Sequence, residues 1–127
     1  MRKKCALLLI ALALTIGLMS GCASGGKPQK LKFEEVDLSS DPASPLVGKN
    51  AKLTVHVNNS QYAKQEAEVQ LQINSNDTLP QLIDATPEGE TYVASYAFPQ
   101  AGTYHITVHM SYEDEHYAYA KSLEVGK

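Results

Sequence analysis

The stretch that decides the fold is Pro99-Gln100-Ala101-Gly102-Thr103-Tyr104-His105-Ile106-Thr107-Val108-His109-Met110. A corner built from Pro and Gly leads into strict alternation, with Tyr104, Ile106, Val108 and Met110 on one face and Thr103, His105, Thr107 and His109 on the other. That period of two is the mark of a strand with one buried face. A Tyr entering a strand just after such a corner can turn its hydroxyl back onto the upstream backbone, as the tyrosine corner of immunoglobulin-like domains does.

The same period extends in both directions. Ala51, Leu53, Val55 and Val57 alternate with Lys52, Thr54 and His56, and Val69, Leu71 and Ile73 alternate with Glu68, Gln70 and Gln72. Tyr92, Ala94, Tyr96 and Phe98 share a face over residues 91–98, and a last strand runs to Val125. Turn chemistry separates these runs at Asp41-Pro42 with Pro45 and Gly48, at Asn58-Asn59-Ser60, at residues 74–77, and at Pro87 with Gly89. With a first strand near 31–36 and a weaker one near 81–85, the chain is all-β. About seven antiparallel strands form an immunoglobulin-like β-sandwich that needs no helix.

The N-terminus has a different composition. Arg2, Lys3 and Lys4 precede an apolar stretch over residues 6–19, which ends in Met19-Ser20-Gly21-Cys22. A basic start, a short apolar run and small exit residues make an export signal, too short to span a bilayer comfortably. The cysteine directly after the small pair resembles the lipobox of bacterial lipoproteins, with Met19 where that family usually has Leu. The resemblance implies cleavage before Cys22 and diacylation of its sulfur, which anchors the protein to the outside of the cell membrane. The expected organisation is a signal peptide over 1–21, a lipidated Cys22 with a Gly- and Pro-broken tether over 22–30, and one domain over 31–127.

Removal of 21 residues from the 127 leaves 106, the size of a single small domain. Cys5 leaves with the signal, so no disulfide is available to the mature chain. Eight basic residues then stand against 14 acidic ones, a net charge of −6, which makes nucleic acid and anionic lipid poor partners. No Gly-x-Ser-x-Gly elbow, His-Glu-x-x-His motif or phosphate loop is present and no cysteine nucleophile survives cleavage, so the chain reads as a non-enzyme.

The pattern Leu46-Val47-Gly48-Lys49-Asn50-Ala51-Lys52-Leu53-Thr54-Val55-His56-Val57, then Tyr92-Val93-Ala94-Ser95-Tyr96-Ala97-Phe98 and residues 101–110, resembles the YtkA-like domain, related to FixH-like proteins. The resemblance covers residues 45–125. It implies a small exported or lipid-anchored protein, and FixH-like relatives are associated with copper supply to a terminal oxidase.

Copper sites use imidazole and thioether ligands, and the final hairpin holds His105, His109, Met110 and His116. His105 and His109 share a face but lie four residues apart, roughly 13 Å along a strand, too far to share an ion. Met110 points to the core face. In the last strand Tyr117, Tyr119, Lys121, Leu123 and Val125 form the more apolar face, with Lys121 an exception for a bulge to absorb, so His116 faces outward. If Met110 pairs with Glu115 across a loop over 111–114, His109 falls directly opposite His116. Two imidazoles there can hold one ion, Cu first and Zn second. The metal candidates are therefore His109 and His116, with Met110 and His105 weaker. His56 belongs to the other sheet, as a surface residue.

Tyr112, expected at an exposed loop tip, is a candidate anchor for a membrane protein partner. The functional expectation is a membrane-anchored extracytoplasmic binding module of YtkA-like type, handling copper or assisting assembly of a membrane copper enzyme. The alternative is a structural or protein-interaction lipoprotein with no metal.

Overall fold

Alternating apolar residues produce alternating burial along five of the seven described strands. The computed structural model describes residues 30–76 and 78–127. The expected signal peptide over 1–21, the expected lipidation of Cys22 and, except for Lys30, the expected tether over 22–30 lie outside the described residues. Leu31–Lys127 form one unit with its own core.

Seven strands follow in order: β1 (Val36–Asp41), β2 (Asn50–Val57), β3 (Glu68–Ser75), β4 (Thr78–Glu88), β5 (Thr91–Ala97), β6 (Gly102–Ser111) and β7 (His116–Val125). All neighbouring strands pair antiparallel, in the order β1-β2-β5-β4-β3-β6-β7. β4 pairs with β3 as far as Ala85 and with β5 from Thr86 to Glu88, so it passes from one sheet to the other. One sheet is thus β1-β2-β5 and the other β3-β6-β7, with β4 shared, the arrangement of an immunoglobulin-like sandwich.

The core lies between the inner faces. Leu53 and Val55 of β2, Leu71 and Ile73 of β3, and Ile106, Val108 and Met110 of β6 are buried in it with Phe98 and Tyr104. The tyrosine corner forms: Tyr104 Oη donates to the Gln100 carbonyl at 2.8 Å and accepts from the Gln100 amide at 3.2 Å. β4 and β5 join through Gly89-Glu90, with Gly89 at φ 61° in the first loop position, where a two-residue hairpin needs a residue free of Cβ.

Three local expectations are corrected. The first strand begins at Val36 rather than Leu31, because the Glu35 carboxylate accepts from the Lys32 amide at 2.8 Å and winds Phe33–Glu35 into a 3-10 turn. One helical turn, α1 (Ser60–Ala63), stands where only a turn was expected, because Asn59 Oδ1 caps it by accepting from the amides of Gln61 at 2.9 Å and Tyr62 at 3.3 Å. Lys121 needs no bulge: β7 keeps one register throughout, and its ammonium donates to the Phe33 carbonyl at 2.9 Å while lying 3.4 Å from the Phe33 ring centroid.

Candidate functional site

β6 and β7 form the hairpin that carries the histidines. Tyr112 N–H donates to the Glu115 carbonyl at 2.8 Å, and Ser111 pairs with His116, so the connection is residues 112–115, not 111–114. The register is offset by two residues from the expected one: His109 lies opposite Ala118 and Met110 opposite Tyr117. A shift of two preserves the face, whereas a shift of one would have reversed it. His109 and His116 therefore both point outward, and they meet on the diagonal.

His109 Nδ1 stands 3.4 Å from His116 Nε2, with the rings 5.6 Å apart between centroids and 29° from parallel. Each ring is held from its far side. His109 Nε2 lies 3.0 Å from Gln72 Oε1 on the neighbouring strand β3, and Gln72 Nε2 donates to Asn74 Oδ1 at 3.3 Å. An amide oxygen only accepts, so Nε2 carries the proton of His109 and Nδ1 presents a lone pair to His116. His116 Nδ1 lies 2.9 Å from Ser111 Oγ, and a hydroxyl can either donate or accept there. His116 can thus carry its proton on Nε2, bonded to His109, or on Nδ1, bonded to Ser111. In the second form two lone pairs face each other with oriented partners behind them, the outer-shell support that metal-binding histidines use.

The surrounding face suits a cation. Glu68 is exposed at an outward position of β3 opposite Ser111, Asp84 accepts from Gln70 at 2.8 Å on β4, and no Lys or Arg occupies an outward position of β3, β6 or β7. Beside the hairpin loop, a depression of about 770 Å³ is lined by Glu66, Glu68 and Glu113 together with Ser111 and Tyr112.

The other candidates do not join the pair. Met110 is fully buried in the core, on the opposite face of β6 from His109. His105 faces outward but sits opposite Ser122, whose Oγ is 3.4 Å from its Nδ1. His56 is exposed on β2, in the other sheet. Among the described residues no group of three or more His, Cys, Asp or Glu gathers at one point.

Tyr112 is not an exposed anchor. It is 7% exposed, its ring packs edge-on against Tyr62 at 5.0 Å and Tyr117 at 6.2 Å, and its hydroxyl is buried without a hydrogen-bond partner. The cause is parity: the inward series Tyr104, Ile106, Val108, Met110 takes one more step past the end of the strand. Burial pushes the Tyr112 hydroxyl well above the usual tyrosine range.

Gln72, Asn74 and Ser111, which orient the imidazoles, were invisible as partners because alternation gives the face of a residue but not its neighbour. A second constellation was missed outright. The hydroxyls of Tyr62, on α1, and Tyr117, on β7, each donate to Glu115 Oε2 at 2.7 Å and lie 2.9 Å from one another. These bonds to Tyr117 and Glu115 raise the Tyr62 hydroxyl far above its ordinary value. An Asn cap before an isolated Tyr was the available sign that residues 59–63 fold inward.

No family model, curated protein or solved structure matches the chain.

Proposed function

We propose that this chain is a lipid-anchored extracytoplasmic binding module of YtkA-like type, without catalytic chemistry of its own, that handles copper through His109 and His116. The observation that carries the metal reading is the 3.4 Å separation of His109 Nδ1 and His116 Nε2, with Gln72 and Ser111 behind them.

The donor set fits the group. Ligand atoms on a tetrahedral ion with bonds of about 2.0–2.1 Å lie about 3.3–3.4 Å apart, whereas adjacent ligands of a square-planar ion lie about 2.8–2.9 Å apart. The pair therefore suits Cu(I) or Zn(II) better than Cu(II). His109 and His116 supply the bonds, and Gln72 and Ser111 hold the rings. With Cys22 reserved for lipid and Met110 in the core, no soft sulfur ligand takes part.

Titration of the domain with Cu(I), Cu(II) and Zn(II) tests this. Binding tighter than micromolar is expected, lost in His109→Ala/His116→Ala and weakened about tenfold or more in Gln72→Ala. Weaker binding, or binding that the double variant retains, overturns the reading. The anchor is tested separately: Cys22→Ser should move the protein from the membrane fraction to the soluble one.

A further inference from the structure

His109 and His116 supply two ligands, and a tetrahedral ion takes four. Among the described residues nothing of the same chain is placed to supply a third: Met110 is buried behind the sheet, His105 is engaged beside Ser122, and no larger group of His, Cys, Asp and Glu gathers here. The two nitrogens are spaced as one edge of such a tetrahedron and lie on the outward face of the hairpin, which leaves the opposite edge to ligands from elsewhere.

The residues beside them leave that side open. His109 lies directly opposite Ala118 on β7, and Ala120 follows on the same outward face. These are the smallest side chains β7 could present while keeping a Cβ. A second imidazole pair of identical geometry, related by a two-fold axis through the ion, fills the open edge with ligands at the same 3.4 Å spacing. Such an isologous contact uses the same patch on both copies and closes on itself.

From this we infer that the ion is shared: one tetrahedral Zn(II) or Cu(I) joins two copies of this chain through His109 and His116 of each, with the outward faces of their β7 strands together. The inference rests on the metal reading above and adds its stoichiometry and partner. The dimer depends on the ion, because Glu68, opposite Ser111, and Asp84, opposite Gln70, put like charge beside the contact on both copies, and these repel one another without it. Two chains held at one membrane surface would also meet at a raised effective concentration.

All described strands and the entire core lie within Leu31–Lys127, so residues 22–127 carrying Cys22→Ser serve for the experiment. Sedimentation velocity is followed as Zn(II) alone is added. The mass should double and saturate at one ion per two chains, and a chelator should reverse it. His109→Ala/His116→Ala should stay monomeric at every concentration. Ala118→Glu leaves all four imidazoles intact but places a charge in the contact, so it should bind ion while dimerisation weakens at least tenfold. One ion per chain with no change of mass overturns the shared site and leaves the metal reading standing. Absence of any binding overturns both. A dimer that forms without ion, or that survives Ala118→Glu unchanged, also overturns it.

Discussion

Tyr104 and Tyr112 place the same phenol in opposite circumstances. The Tyr104 hydroxyl makes two bonds to Gln100, while that of Tyr112 is buried and unpaired. A net hydrogen bond contributes about 1 kcal/mol, and an unsatisfied buried polar group costs about 1–3 kcal/mol. Tyr104→Phe should therefore destabilise the domain by about 1 kcal/mol in urea unfolding, whereas Tyr112→Phe should leave it unchanged or raise it by about 1 kcal/mol. The first role was legible because both partners lie within five residues of the corner. The second was not: a loop position between Ser111 and Glu113 looks exposed until Tyr62 and Tyr117 arrive from elsewhere in the chain to cover it. The histidine pair lies between these cases. Alternation alone put both rings outward, but their meeting depends on a register that only the completed hairpin fixes.

At the scale of elements, α1 is a single turn that could not persist alone, since helix nucleation is unfavourable and four residues gain almost nothing back. Asn59 and Tyr62 hold it from its two ends. Asn59 Oδ1 caps two amides while its Nδ2 donates to the Glu35 carboxylate at 3.2 Å, and Tyr62 is locked to Glu115 and Tyr117. Asn59→Ala should cost about 1 kcal/mol and also release the Glu35 carboxylate toward its ordinary range, both readable from thermal unfolding at neutral and acid pH. Strands were recognisable wherever a full period-two run existed, as in β2, β3 and β6. β4 was placed too short because Leu79, Pro80 and Leu82 do not alternate with burial along this edge, where Leu79 and Leu82 are exposed. Pro87 reads as a turn residue yet sits in β4 opposite Tyr92, which an edge position tolerates.

The whole molecule joins these local groups into one dependence on pH. Glu35 is held below the usual carboxylate range, first by the Lys32 amide and then by Asn59. Its folded value lies below its unfolded one, so its contribution is present above about pH 4.3 and is lost as the pH falls through the folded value. Tyr62, held up by its bonds to Tyr117 and Glu115, and Tyr112, held up by burial, have the opposite sign. Their contributions are complete below about pH 10 and decline as the pH rises toward the folded values. Thermal midpoints should therefore fall on the acid side and, more steeply, above about pH 10, and the tyrosinate absorbance of Tyr62 and Tyr112 should emerge together with unfolding.

β4 is bonded to β3 along most of its length and to β5 at its end, with no break between. The two sheets are thus joined by hydrogen bonds through one continuous strand as well as by the core between them, so loosening β4 weakens the edge of both. Amide deuterium exchange should accordingly find β3, β5 and β6 opening as one cooperative unit rather than as two layers with separate lifetimes. For a protein that would work at the end of a tether, the scaffold behind its histidines would then be either entirely present or entirely gone.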